Sequence, residues 1–66
     1  MKFKELDTVR VIRTSQENIY IGDIGVIVMI FDSPEEAYEV EVMDEEGNIK
    51  VQSTFLTEDL ELCIFW

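Results

Sequence analysis

Residues 37–43, AYEVEVM, alternate apolar and acidic side chains with a period of two. Neighbouring side chains on a strand point to opposite faces. This segment therefore turns Tyr38, Val40 and Val42 toward a core and Glu39 and Glu41 toward water. The chain has 66 residues, which is room for one domain, residues 1–66, and one thin core. Every other apolar segment must share that core with the 37–43 strand.

Most of the remaining chain reads as further short strands. Leu6–Arg13 is rich in β-branched residues, with Val9 and Val11 on one face. Thr14–Asp23 is a polar loop with an apolar centre, Ile19-Tyr20-Ile21. Ile24–Phe31 is apolar on both faces, as a central strand is, with Ile27, Met29 and Phe31 opposite Val26, Val28 and Ile30. Asp32–Glu36 contains Pro34 and forms a turn. Asp44–Asn48 is a hairpin turn in which Gly47 or Asn48 takes a positive φ. Ile49–Phe55 is the return strand. Thr57–Leu60 is one helical turn capped by Thr57, with Glu58 and Asp59 at its positive end. Leu60–Trp66 closes as a last strand, with Leu60, Leu62 and Ile64 on one face.

Five short strands, a long first loop, two tight turns and a helical turn before the last strand predict an all-β fold. The expected architecture is a small SH3-like five-stranded barrel. An OB-type barrel is the structural alternative. It carries a longer helix between its third and fourth strands, and no segment here offers one. There is no internal repeat and no low-complexity linker.

Charge and composition narrow the function. Residues 1–30 are neutral, whereas residues 31–66 set Lys50 against eleven carboxylates and hold the entire net charge of −10. Such an excess repels nucleic acid and anionic lipid. The chain has no histidine, the commonest general base and metal ligand. One cysteine, Cys63, makes neither a disulfide framework nor a CxxC zinc site, and it suits a reducing cytoplasm. The longest apolar run, Val26–Phe31, is too short to span a membrane. Met1-Lys2-Phe3-Lys4-Glu5 is not followed by the apolar stretch of a signal peptide. A cytoplasmic location is therefore expected.

The strings Glu5-Leu6-Asp7-Thr8-Val9, Gly22-Asp23-Ile24-Gly25 with Val26-Ile27-Val28, Ala37–Val42 and Leu56-Thr57-Glu58-Asp59-Leu60 carry a resemblance over roughly residues 5–62. Together they resemble a family of short, acidic, uncharacterised bacterial proteins, a domain of unknown function. That resemblance implies an SH3-like barrel and, through neighbouring toxin genes, an antitoxin or immunity role. It assigns no residue a role. Val26 stands where the family more often has threonine or another small residue, and the apolar tail Cys63–Trp66 is also unusual. Residues 7–30, with Gly22, Gly25 and Val28, are similar to the KOW element of ribosomal and transcription-elongation proteins. KOW modules hold RNA with lysine and arginine, and this chain has five basic residues.

Four features could carry function. The first is acidic: Glu39 and Glu41 face outward on one strand, with Asp32, Glu35 and Glu36 in the turn before it and Asp44, Glu45 and Glu46 in the turn after it. These form either a solvating face or a stripe that docks a basic partner. The second is the oxygen-rich 44–48 turn, which lacks the D-x-D-x-D-G order of a calcium loop, so no metal is expected. The third is the set of paired carboxylates, which need a pocket to separate their pKa values. A barrel this small fills its interior with side chains, so neither enzymatic activity nor a cofactor is expected. The fourth is apolar. Both faces of the 24–31 strand cannot fit one small core, so either the 14–23 loop covers one set or that set is a docking patch. Trp66 is a core plug or an exposed anchor. Cys63, outward or half-buried with Glu61 nearby, reads as inert.

The expected function is a non-enzymatic protein-binding module, monomeric or a weak homodimer. It takes a protein with a basic surface, in the most specific version a cognate toxin, through Phe31, Asp32, Glu35, Glu36, Tyr38, Glu39, Glu41, Asp44, Glu45 and Glu46. One alternative is an accessory subunit held by Ile27, Met29, Phe31 and Trp66. Another is a KOW-like nucleic-acid module using Lys2, Lys4, Arg10 and Arg13, which the net charge disfavours.

Overall fold

A computed structural model describes residues 1–64. Strands β1 (Thr8–Val11), β2 (Ile24–Phe31), β3 (Ala37–Met43), β4 (Ile49–Leu56) and β5 (Leu60–Leu62) form one antiparallel sheet in the order β4-β3-β2-β1-β5. A 3-10 turn, Thr57–Asp59, joins the two edge strands. Among the described residues no ladder pairs β4 with β5. In a flat sheet those edges would stand four inter-strand steps apart, roughly 19 Å. The Cα–Cα links from Leu56 to Leu60 reach at most about 15 Å fully extended, and less through a 3-10 turn. The sheet is therefore strongly curled where the chain passes from one edge to the other.

Curling gathers the inward side chains into one cluster. Val9 and Val11 come from β1, Ile27 from β2, Tyr38, Val40 and Val42 from β3, Phe55 from β4 and Leu60 from β5. The alternation in β3 holds from Tyr38 to Met43, while Ala37 at its start is buried as well. Phe3, from the N-terminal segment, and Ile19, from the first loop, close the cluster. That loop also reaches the far edge strand. Gln16 Nε2 donates to the Thr54 carbonyl at 3.2 Å, and Ser53 Oγ donates to Gln16 Oε1. Of its apolar centre only Ile19 is buried; Tyr20 and Ile21 are exposed.

The two-faced β2 is resolved by a bulge. Ile27 pairs with Val40, but the next pair is Met29 with Glu39, so the register shifts at Val28. An extra residue on one strand inverts the alternation beyond it. Ile27 is buried and Ile30 packs against the core, while Met29 and Phe31 are exposed. The expected set of Ile27, Met29 and Phe31 on one face is thus divided. Ile27 is core and is not a docking residue.

Local signals also need correction. The strand at the N-terminus is shorter than Leu6–Arg13, because Leu6 lies outside it with φ 71°. The hairpin turn takes its positive φ at Gly47, φ 86°, not at Asn48. Thr57 does not cap the helical turn. The Asp59 carboxylate accepts the Leu56 N–H at 3.0 Å, and the buried Thr57 hydroxyl makes no capping bond. The last strand ends at Leu62; Ile64 is exposed and Cys63 is buried, the reverse of the expected facing. Phe65 and Trp66 lie outside the described residues, and with them the reading of Trp66 as plug or anchor.

Candidate functional site

Glu39 and Glu41 stand on the outer face of the curled sheet, as the alternation predicts. Glu39 is opposite Met29 on one side and Thr54 on the other; Glu41 is opposite Val26 and Gln52. Two neighbours on β4 hold Glu39, since Thr54 Oγ1 donates to it at 2.5 Å and Gln52 Nε2 at 3.1 Å. This face therefore carries an acidic row on β3 beside an apolar row on β2. Met29 is 50% and Phe31 41% exposed. The two features that the sequence presents as rivals, an acidic stripe and an apolar patch, lie side by side.

Folding makes the charge asymmetry sharper. Arg10 bonds Glu61, and Arg13 reaches Glu58 at 3.2 Å and Asp59 at 3.0 Å. These two arginines from the neutral half therefore engage three carboxylates of the acidic half. Lys50 pairs with Asp23 at 2.7 Å. What remains is the run from Asp32 to Glu46. Among the described residues none of its eight carboxylates pairs with lysine or arginine. The turns at either end of β3 hold six of them, and Glu39 and Glu41 connect the turns. An interaction that one acid loses by standing near another is regained when a cation approaches.

Not all eight are available. Glu36 Oε2 accepts the Lys2 N–H at 3.0 Å and the Tyr38 hydroxyl, which ties the N-terminal segment to β3. Asp44 Oδ1 accepts the N–H groups of Glu46 and Asn48, each at 2.9 Å, and so shapes the hairpin turn. Tyr38 is fully buried, its ring edge-on to Phe3 at 5.2 Å between centroids. It cannot supply the partner anchorage expected of it. A side chain at an inward position of β3 belongs to the core, and its hydroxyl is consumed by Glu36 and by the Phe3 N–H at 3.2 Å. Phe31, Asp32, Glu35, Glu39, Glu41, Glu45 and Glu46 keep a surface position.

Leu6 stands out only in the folded chain. It is 76% exposed, and its N–H donates to the Ile27 carbonyl at 2.8 Å, which places it beside the β2 bulge. A positive φ costs a bulky residue about 1–2 kcal/mol. Nothing in the chain's local pattern signals it, because a leucine next to a strand reads as core.

The Glu36–Tyr38 pair makes stability depend on pH at both ends. The Tyr38 hydroxyl, then the Lys2 N–H, hold the Glu36 carboxyl below its ordinary value. Its stabilisation is present above the unfolded pKa, about 4.3, and is lost as pH falls through the lower folded value. Burial first, then Glu36, push the Tyr38 phenol up. That contribution is complete below the unfolded pKa, about 10, and is lost as pH rises through the higher folded value. Glu36→Gln should flatten the acid limb of a urea-midpoint-versus-pH curve and leave most of the alkaline limb, which burial dominates. An acid limb as steep as in the unaltered protein would contradict this role.

A cleft of about 350 Å³ opens at the hairpin end of the sheet, between the first loop and the β3–β4 turn. Tyr20, Ile24, Met43, Glu45 and Lys50 are among its walls. No three His, Cys, Asp or Glu side chains among the described residues are grouped to hold a metal ion. No helix among them is long and apolar enough to cross a membrane.

No curated protein and no solved structure matches the chain. The model of a domain of unknown function, DUF4926, matches residues 5–62, which takes in every strand among the described residues and both turns that flank β3. The chain belongs to the DUF4926 family.

Proposed function

We propose that this protein is a non-enzymatic docking module that takes a basic protein on the outer face of β2 and β3. The fold that suits it is an SH3-like barrel, with the strand order and the curl between β4 and β5 in its favour. The observation that carries the reading is the pairing of Met29 with Glu39 and of Val26 with Glu41. It sets an exposed and a half-buried apolar side chain, Met29 and Val26, against carboxylates that lack an internal cation. Apolar contact surrounded by charge is the anatomy of a protein interface, and like charges lining one face favour a cationic visitor through both attraction and steering. A toxin with a positively charged, nucleic-acid-handling surface is the partner class we infer, which makes this an antitoxin or immunity-type protein. Phe31 and Met29 supply apolar anchorage; Glu39, Glu41, Asp32, Glu35, Glu45 and Glu46 supply charge.

Affinity capture from the native host, at about 50 mM and about 500 mM salt, where screening differs strongly, tests the reading. Glu39→Lys with Glu41→Lys should slow association about tenfold or more at low salt, with the fold intact by circular dichroism. Capture that tolerates high salt and the double reversal yet fails on Met29→Asp would favour an accessory subunit docked by its apolar row. The exposure of Met29 and Phe31 supports that second reading. A nucleic-acid module is disfavoured because Arg10 and Arg13 are already engaged by carboxylates.

A further inference from the structure

We propose that the cleft between the first loop and the β3–β4 turn receives an arginine side chain of the basic partner. This rests on the reading that the partner is basic, and it places one anchoring residue of that partner.

The cleft has an apolar floor, an aromatic wall and an acidic lip. Ile24 and Met43 are half-buried and line it. Tyr20, 63% exposed, forms a wall. Its backbone is held, and its ring already carries one cation. Its N–H donates to Asp23 at 2.9 Å, and the Lys50 ammonium sits 5.0 Å from its ring centroid. The acids at the cleft are Asp23, Asp44 and Glu45, and Lys50 is the cation. Lys50 is committed: it pairs with Asp23 at 2.7 Å, and both side chains are less than one-fifth exposed. Asp44 is spent on the turn. Glu45, exposed at the lip, has no ion-pair partner among the described residues. The site is therefore net negative, with one carboxylate open to an incoming cation.

This combination suits arginine better than lysine. The aliphatic stem covers apolar surface while the charged head stays at the rim. The guanidinium is planar and weakly hydrated, stacks on aromatic rings and binds carboxylates as a fork. An ammonium is compact and holds its water more tightly. A second copy of this chain is a poor occupant, because two bodies of charge −10 repel.

The test uses the full chain, labelled with 15N, and three capped tripeptides: acetyl-Gly-Arg-Gly-amide, its lysine analogue and its citrulline analogue. The arginine peptide should give saturable amide shifts in residues 20–24 and 43–47. The lysine peptide should bind more weakly, and the citrulline peptide should bind weakest. Tyr20→Ala should weaken the arginine peptide about two- to five-fold, the range of an exposed cation–π contact. Glu45→Gln should weaken it by up to about five-fold, as for an exposed ion pair. Both residues are exposed and outside the core, so the variants should fold. Equal binding of the three peptides would overturn the proposal, as would shifts spread over Asp32 and Glu35 as strongly as over the cleft. Peptide failure with salt-sensitive partner capture intact overturns the cleft alone; failure of both overturns the shared premise of a basic partner.

Discussion

Tyr38→Ala is expected to leave most of the protein unfolded at 25 °C. Tyr38 is fully buried, touches Phe3 edge-on and lies at the centre of the only described core cluster. Truncating a buried aromatic costs about 3–5 kcal/mol. A scaffold of this size holds only about 3–5 kcal/mol in total. Tyr38→Phe separates ring from hydroxyl. It keeps the packing but leaves the buried Phe3 N–H and the Glu36 carboxylate short of a partner. A loss of about 1–3 kcal/mol follows. Urea titrations followed by circular dichroism read both. A cooperative transition at the unaltered midpoint for either variant would show that the N-terminal clasp contributes nothing. Tyr38→Ala will also abolish partner binding, but through unfolding, so it is no test of the docking face.

Gly25→Ala is the second large expected effect. Gly25 lies between Val9 and Val42 in the ladders, at the point where β2 crosses the core. A Cβ built there meets Val40 Cγ1 at 2.5 Å and the Glu41 carbonyl oxygen at 2.8 Å. The valine could rotate, but the carbonyl belongs to the neighbouring strand and moves only with it. Overpacking of this kind costs about 1–3 kcal/mol, the upper end being expected because backbone must shift. In a protein with so little reserve this lowers the urea midpoint by half or more. Val40→Ala in the same background should recover part of the loss if the side-chain clash contributes. No recovery would assign the cost to the backbone contact alone.

How much of this was legible before folding differs by element. The β3 alternation holds from Tyr38 to Met43 because it depends only on the two-residue period of a strand and on which residues tolerate water. The turns at Asp32–Glu36 and Asp44–Asn48 were legible through proline, glycine and short polar side chains. β2 was not, because a uniformly apolar segment has no internal marker of facing. A bulge is set by the partner strand, and the register between Ile27 and Met29 exists only once β3 is alongside. Thr57 reads as a cap from its position before two acids, yet Asp59 reaches back to the Leu56 N–H. Periodicity turns Tyr38 inward, whereas its chemistry as an aromatic anchor would turn it outward. Burial decides for the first, because a core this thin cannot release a ring of that volume.

The sequence by itself determined an all-β chain, the inward set of β3 and an acidic half beginning at Asp32, since each depends on neighbours within a few residues. Tertiary structure alone decided which carboxylates stay unpaired, because Arg10 and Arg13 meet Glu61, Glu58 and Asp59 across some fifty residues of chain. It also decided that Met29 and Phe31 lie outside beside Glu39. Such facts belong to strand register and sheet curl, which arise from burying all apolar faces at once and are written in no single segment.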